Sequence, residues 1–170
     1  MLERWTIELA HLEEKDIKLE RRLRIESYLD KGTGDAWLKS PEVASLVQNA
    51  LLYFDGQRYR LPAWVIMPNH IHVLLVPGPG RSLSSILHSW KSFTSNEANK
   101  LLGRAGEFWQ EDYFDRYIRN AKHFADAIDY IENNPVKAGL CARKADWKFS
   151  SAGAHLGTVC GQDARAPREL

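Results

Sequence analysis

The stretch that decides the fold is Trp64–Leu75, which reads WVIMPNHIHVLL. The apolar residues on either side of its centre predict two strands, Tyr59–Met67 and Ile71–Val76, joined as a β-hairpin. Successive side chains of a strand alternate between its faces, so His70 and His72 would share one face. Two imidazoles on one face supply part of a small metal site. The alternative is a pair of ordinary, hydrogen-bonded or exposed histidines.

Helical patterns lie on both sides of this hairpin, each with apolar residues at helical spacing and a capping side chain or a breaking residue at its ends. Before the hairpin, the sequence predicts an amphipathic helix at Trp5–Asp30 and a second helix capped by Ser40. After it, a helix capped by Ser82 would bury Leu83, Ile86, Leu87, Trp90, Phe93 and Leu101 and stop at Gly103. A strand is then predicted at Tyr113–Arg119. The next helix would be capped by Asn120, run from Ala121 to about Asn133 and end at Pro135. Its buried residues would be Phe124, Ile128 and Ile131.

The composition indicates one globular domain. A chain of 170 residues can form one core, and we expect a single domain over residues 1–150 with a mobile tail over residues 151–170. The formal net charge of +1 neither indicates nor excludes a nucleic-acid partner, because a local basic patch is sufficient. The two cysteines form no pattern, and no apolar run reaches the length of about 20 residues that crosses a bilayer. We therefore expect a cytoplasmic protein with no membrane partner.

The helix that begins at Ala121 carries two polar residues beside its apolar stripe. Tyr130 and Asn134 are four residues apart and share a side of the helix, from which they can face the rim of the sheet. His70, His72 and the amide oxygen of Asn134 would form a neutral ligand set for Mg²⁺ or Mn²⁺. Such a cation polarises a phosphodiester, and Tyr130 would attack it to form a covalent phosphotyrosine. The alternative for Tyr130 alone is a half-buried aromatic whose hydroxyl contacts water.

Four segments, in the same order, resemble those of one protein family. Trp64–Leu75 resembles the histidine–hydrophobic–histidine (HUH) segment of single-tyrosine transposases. Tyr130–Leu140, which reads YIENNPVKAGL, resembles the catalytic-tyrosine segment of the same superfamily. Phe108–Arg119 and Trp147–Ser151 narrow the resemblance to the REP-associated tyrosine transposases, which are tied to repetitive extragenic palindromes. The resemblance runs from about Ser40 to Ala152.

The resemblance implies an activity and a fold. His70 and His72 match the metal-binding pair, Tyr130 the nucleophile, and Asn134 the position of the third ligand. Proteins similar to this chain cleave and rejoin single-stranded DNA beside hairpins, and leave a 5′-phosphotyrosine and a free 3′-hydroxyl. We therefore expect an enzyme that uses Mg²⁺ or Mn²⁺ and acts at the nucleoid. The implied fold is α+β, a ferredoxin-like (RRM-like) antiparallel sheet with helices on one face.

One departure from the family pattern concerns the start of the chain. Family members usually begin with a strand that lies in the middle of the sheet, whereas this chain opens almost directly into the first predicted helix, with only Met1–Ile7 available for such a strand. An incomplete sheet has an open edge that invites pairing, so a homodimer formed through this edge is expected. The departure also leaves open a second function, a catalytically impaired or domesticated protein that binds hairpin DNA without cutting it. A zinc hydrolase using His70 and His72 is a third alternative.

Basic residues on or near the motif segments are candidates for phosphate contacts, and each also fits an ordinary solvated charge. They are Lys91, Arg104, Arg116, Arg119, Lys122 and Lys137. Trp90, Phe93 and Trp109 are candidates for stacking on unpaired bases, with core packing as the alternative.

Overall fold

A computed structural model describes residues 35–110, residue 113 and residues 115–154. The helix predicted at Trp5–Asp30 and the segment Met1–Ile7 lie outside these residues. The described elements are, in chain order, α1 (Pro41–Leu52), β1 (Tyr59–Ile66), β2 (Ile71–Pro77), α2 (Leu83–Leu101), α3 (Ala121–Lys137) and α4 (Ser151–Ala154), with 3₁₀ turns at Trp37–Lys39 and Lys144–Asp146.

The predicted hairpin is confirmed. β1 and β2 pair antiparallel, with Val65 opposite His72 and Ile66 opposite Ile71. The Met67 N–H donates to the His70 carbonyl at 2.8 Å and closes the connection. The register of the pair shifts between residues 60 and 63, where Pro62 offers no N–H to a ladder. Within the described ranges β2 pairs with β1 alone.

The hairpin is packed on both of its faces. On one face lies the main core, which combines α1, α2 and β1 and contains Leu38, Val43, Ala44, Val47, Leu51, Tyr59, Leu61, Trp64, Ile66, Ile86, Trp90 and Ala98. On the other face Ala63, Val65, Met67 and Leu74 pack with Ile131 of α3. The α+β class is thus confirmed, but the prediction of helices on one face only is wrong. Residues 63–67 are all apolar, and a strand that is apolar at successive positions needs cover on both sides.

The two helices beside the hairpin begin where the sequence indicates. The side chain of Ser40 accepts a hydrogen bond from the N–H of Val43, and Ser82 caps α2 in the same way. α2 ends at Leu101, before Gly103, whose φ of 61° suits a helix stop. Leu101 is nevertheless 59% exposed, contrary to its predicted place on the buried face. Leu102 packs against the main core instead, because the chain turns at the end of α2.

α3 begins at the predicted cap but continues past the predicted end. The side chain of Asn120 accepts a hydrogen bond from the N–H of His123 at 2.8 Å. The helix includes Pro135 and ends at Lys137. Pro135 does not terminate it because a proline in the last turn removes only one bond of the helical ladder.

The actual stop of α3 is a glycine cap. Gly139 has a φ of 69°, and its N–H donates to the Val136 carbonyl at 3.0 Å. The Leu140 N–H donates to the Pro135 carbonyl at 2.9 Å. This pair of bonds is the Schellman motif, which satisfies the last carbonyls of a helix and needs a residue with positive φ.

The segment before α3 is not the predicted strand. Residue 113 and residues 115–119 have no regular structure, and most of their side chains are exposed. Ile118 is the described residue of this segment that packs, against the face of the sheet covered by α3. A strand needs a neighbouring strand to satisfy its backbone groups, and no strand of the described residues pairs with this segment.

The chain returns to the hairpin after α3. The Phe149 carbonyl accepts from the Ile66 N–H at 2.8 Å, and Ser150 forms a bridge with Val65. A Cβ at Gly153 would lie 2.1 Å from the Trp147 carbonyl oxygen, so this close approach requires glycine. The packed structure therefore extends through residue 153, past the boundary predicted at residue 151. No helix of the described ranges has the length and hydropathy to cross a bilayer.

Candidate active site

Two histidines meet at the start of β2. His70 immediately precedes the strand and His72 is its second residue, so both side chains project from the same face. Their Nε2 atoms are 3.0 Å apart, and their rings are nearly perpendicular. His70 is 8% exposed, so its imidazole is largely removed from water. The predicted pairing of the two imidazoles is present in the structure.

Asn69 fixes the protonation pattern of His70. Its Oδ1 lies 2.8 Å from His70 Nδ1, and an amide oxygen can only accept a hydrogen bond. This assigns the proton of the neutral His70 ring to Nδ1 and leaves a lone pair on Nε2. The lone pair then faces His72 Nε2. A second residue that orients a histidine in this way is typical of metal-ligating histidines.

The predicted nucleophile lies against this pair. Tyr130 is on the side of α3 that covers the sheet, and its ring centroid is 5.7 Å from that of His72. The ammonium of Lys137 is 4.5 Å from the Tyr130 ring centroid. A cation at this distance is attracted to the face of the ring. The structure therefore brings His70, His72 and Tyr130 together, although β2 and α3 are far apart in the sequence.

Asn134 is one helical turn beyond Tyr130. It is 1% exposed, and its Oδ1 accepts no hydrogen bond from the described residues. A buried acceptor without a partner costs about 1–3 kcal/mol. α3 remains helical through Pro135 to Lys137, so Asn134 keeps its helical position one turn after Tyr130.

These residues fit a small divalent cation. Two ligand bonds of about 2.1 Å that meet at a right angle end about 3.0 Å apart, which is the spacing of the histidine Nε2 atoms. The described ranges contain no group of three His, Cys, Asp or Glu residues arranged to hold a metal. A cation held by His70 and His72 would therefore need another kind of ligand, and the unsatisfied oxygen of Asn134 is of the required type.

Glu132 was not predicted from the sequence, and it fixes α3 against β1. Its Oε1 accepts from Ser151 Oγ at 3.0 Å, and its Oε2 accepts from Lys144 Nζ at 2.9 Å. The hydrogen bond to Glu132 raises the pKa of Lys144 above its usual value. Ser151 Oγ also accepts from the Trp64 N–H at 3.2 Å. The sequence could have indicated Glu132 through its position between Tyr130 and Asn134. It was missed because its partner Ser151 lies beyond the predicted end of the domain.

The six predicted phosphate contacts separate into two groups. Four already have a partner within the chain. Lys91 donates to the Gln110 carbonyl, Arg104 stacks on Trp37 and donates to Asn99 and Glu107, Lys122 pairs with Asp126, and Lys137 lies over Tyr130. Arg116 and Arg119 are exposed, and neither guanidinium has an ion pair or hydrogen bond within the described residues.

The three predicted stacking residues are half-buried or buried. Trp90 donates from Nε1 to Tyr59 Oη at 2.9 Å in the main core. Trp109 donates from Nε1 to Thr94 Oγ1 at 2.7 Å and packs against the same core. Burial raises the pKa of Tyr59 above its usual value. Core packing is therefore the role that the structure gives to both tryptophans, and Phe93 is half-buried.

Comparison with known proteins points to one family. A sequence profile described as IS200-like transposase matches residues 42–134, a range that contains both histidines, Tyr130 and Asn134. The REP-associated tyrosine transposase of Escherichia coli (strain K12) is 33% identical over 109 residues, which is 62% of each chain. A putative REP-associated tyrosine transposase of Haemophilus influenzae is 31% identical over 96 residues, or 51% of this chain and 54% of the relative. The chain thus matches less than two thirds of the length of these relatives.

A solved structure shares the fold. It is that of a REP-associated tyrosine transposase bound to a REP hairpin, and it superposes with a TM-score of 0.58. The match covers 81% of this chain and 86% of the other, at 22% sequence identity. An identity this low supports a common fold and leaves the activity to be argued from the site.

Proposed function

Because this chain belongs to the IS200-like transposase family, we propose that it cleaves and rejoins single-stranded DNA beside hairpins, with Tyr130 as the nucleophile. The resemblance to REP-associated tyrosine transposases is confirmed. The observation that supports the proposal most directly is the contact between the Tyr130 and His72 rings, at a centroid distance of 5.7 Å. It unites the histidine strand and the tyrosine helix in one site.

The proposed reaction is a transesterification. Tyr130 Oη loses its proton to solvent and forms a bond to the phosphorus of a phosphodiester, while the bond from phosphorus to the 3′ oxygen breaks. The 3′ oxygen leaves and takes up a proton. The products are a 5′-phosphotyrosine and a free 3′-hydroxyl. Attack by another 3′-hydroxyl on the phosphotyrosine reverses the step and joins the strand to a new end without ATP.

The site is suited to Mg²⁺ or Mn²⁺, which we propose as the cofactor. His70 and His72 would hold it through Nε2, and Asn134 through Oδ1. Such a cation, when bound, polarises the phosphodiester and offsets its charge. Asn69 keeps the His70 lone pair directed at the site, and Glu132 keeps α3 seated on β1. The ammonium of Lys137 also contacts the ring of Tyr130, at 4.5 Å from its centroid.

We propose hairpin DNA with a single-stranded flank as the substrate. The REP hairpin bound by the solved relative motivates this choice. Arg116 and Arg119 supply exposed positive charge next to the start of α3, which suits a phosphate backbone. A protein with this substrate works at the nucleoid in the cytoplasm.

We also propose that the complete sheet is ferredoxin-like. β1 and β2 would be two of its strands, and no other strand of the described residues pairs with the second edge of β2. Pairing of this edge with the same edge of a second copy would give a homodimer. Sedimentation of the full chain tests the dimer, and a monomer at micromolar concentration contradicts it.

Incubation of the purified chain with a single-stranded DNA hairpin and Mn²⁺ tests the function. We expect a covalent protein–DNA adduct on a denaturing gel, with a shortened strand that ends in a 3′-hydroxyl. Tyr130→Phe should abolish the adduct, whereas the control Tyr53→Phe, on an exposed tyrosine next to the end of α1, should retain it. An adduct that survives Tyr130→Phe contradicts the proposal. Tight hairpin binding without any nicking would instead support the non-cleaving alternative.

A further inference from the structure

Tyr117 is the most exposed large apolar side chain of the described residues. It is 87% exposed, and the next such residue, Leu101, is 59% exposed. The side chain lies in the irregular segment before α3. Single exposed aromatics are common, so the exposure acquires meaning only from what surrounds it.

The neighbouring side chains are charged and aromatic. Arg116 precedes Tyr117, Arg119 follows it by two residues, and the exposed Asp115 adds one negative charge beside them. No ion pair or hydrogen bond joins either guanidinium to another described residue. Lys122, by contrast, is paired with Asp126 at 2.7 Å. Tyr113, which is 47% exposed, lies under the ammonium of Lys91 at 5.9 Å. We call Arg116, Tyr117 and Arg119 the Tyr117 strip.

The backbone of the strip is held in place. Ile118 packs into the cluster that includes Phe124 and Tyr130. The Arg119 N–H donates to His123 Nδ1 at 3.3 Å, and the next residue, Asn120, caps α3. The strip is thus fixed to the first turn of the helix that carries the nucleophile. Ten residues separate Asn120 from Tyr130, which is about 15 Å along the axis of α3.

From these observations we propose that Tyr117 stacks on an unpaired base of the bound DNA, while Arg116 and Arg119 bind the flanking phosphates. The inference rests on the proposed function and names residues that would position its substrate. Charge complementarity supports this occupant, because residues 115–119 carry two arginines against one aspartate beside an exposed ring, which suits an anionic strand with exposed bases. A base stacked there would lie a few nucleotides from the phosphate that Tyr130 attacks.

A binding assay without metal tests the strip independently of cleavage. The parent is the full chain with Tyr130→Phe, and the probe is a DNA hairpin with a single-stranded flank that carries 2-aminopurine at one position at a time. We expect Tyr117→Ala to raise the Kd by about 5- to 150-fold, the range for loss of one stacked base, and Tyr117→Phe to keep the parent value. Quenching of 2-aminopurine at one position should disappear in Tyr117→Ala. Arg116→Gln should lower the slope of log affinity against log salt by about 0.7.

Tyr53→Ala is the matched control, because Tyr53 is also exposed but lies at the end of α1. It should leave the Kd unchanged. A Tyr117→Ala variant that binds and quenches like the parent overturns the inference, and intact cleavage by the otherwise unaltered chain would leave the proposed function standing. If the parent binds no DNA while the unaltered chain cleaves the hairpin with Mn²⁺, the inference fails and the proposed function stands; if neither binding nor cleavage occurs, both fail. Equal competition by a fully paired duplex would show phosphate contact without stacking, and would also overturn the inference.

Discussion

Asn69 lies outside the proposed metal-ligand set but contacts one of its members, His70. Its Oδ1 accepts from His70 Nδ1 and thereby presents the Nε2 lone pair. We predict that Asn69→Ala weakens Mn²⁺ binding by about 10- to 100-fold, the usual effect of removing such a partner. Calorimetric titration of the full chain measures it. Asn133→Ala, which removes an exposed hydrogen bond within α3, should leave the affinity unchanged. Equal affinity of Asn69→Ala and the unaltered chain would contradict the assignment.

Substitution of Asn134 should have opposite effects on the stability of the fold and on metal binding. Its buried Oδ1 is unsatisfied among the described residues, so Asn134→Leu removes a destabilising group of similar volume. We expect the free energy of unfolding in urea with EDTA to rise by up to about 1–3 kcal/mol. The same variant should lose Mn²⁺ affinity and cleavage. A variant that is less stable than the parent but binds Mn²⁺ normally would show that Asn134 is a structural residue.

The positions of single residues could be predicted from the sequence where they follow from the geometry of one helix or strand. Strand alternation placed His70 and His72 together, and helical spacing placed Asn134 one turn from Tyr130. The sequence was insufficient where a partner comes from elsewhere in the chain. The stacking of Arg104 on Trp37 was not predicted, because it joins segments that no local pattern connects.

The glycine cap that ends α3 can be tested by substitution of Gly139. Gly139 has a φ of 69°, and a Cβ there would meet no atom within 4 Å, so any cost of a side chain is a backbone cost. We predict that Gly139→Ala lowers the free energy of unfolding by about 1–2 kcal/mol. Gly139→Asn should cost less, because asparagine tolerates positive φ. Urea unfolding measures both. An alanine variant as stable as the parent would contradict the glycine cap.

The packing of α3 on β1, called the seat of α3 below, depends on one hydroxyl group. Ser151 Oγ accepts from the Trp64 N–H and donates to Glu132, and the serine is buried. Ser151→Ala should therefore cost about 1–3 kcal/mol in urea unfolding, because it leaves the strand N–H unpaired. Ser84→Ala, on an exposed hydroxyl of α2, is the control and should change little. Equal stability of the two variants would mean that the hydroxyl contributes nothing to this seat.

Elements were predictable where caps and periodicity agreed. α1, β1, β2 and α2 begin within a residue or so of the predicted positions, because Ser40 and Ser82 cap and the strands are strongly apolar. The strand prediction for the segment before α3 was wrong. Its alternating apolar residues suit a strand, but the sequence does not show whether a neighbouring strand is present to pair with it. The prediction that α3 ends at Pro135 was also wrong, because a proline breaks a helix less when it lies in the last turn.

For the whole molecule, metal binding should be visible as stability. A ligand that binds only the folded chain stabilises it by about 2.7 kcal/mol at a concentration 100 times its Kd. We predict that Mn²⁺ raises the unfolding temperature, that EDTA reverses the rise, and that His72→Ala abolishes it. His88→Ala, on an exposed histidine of α2, should retain the full rise. A rise of equal size in His72→Ala would place the cation elsewhere.

The arrangement of layers was the least predictable property of the whole molecule. The apolar run of residues 63–67 indicated a buried strand, but the resemblance alone suggested helices on a single side. The structure uses both sides, with α1 and α2 over one face and α3 over the other. Only the tertiary contacts assign each helix to a face.

The contact between His72 and Tyr130 also has a consequence for biosynthesis. About sixty residues of chain separate the two rings, so the loop between them must close before they meet. Translation proceeds at about 5–20 residues per second, and the histidine hairpin therefore leaves the ribosome several seconds before the tyrosine helix. A nascent chain, or a product truncated before residue 121, carries the histidines but no nucleophile. A nuclease of the proposed kind would thus gain its nucleophile only after Tyr130 has left the ribosome.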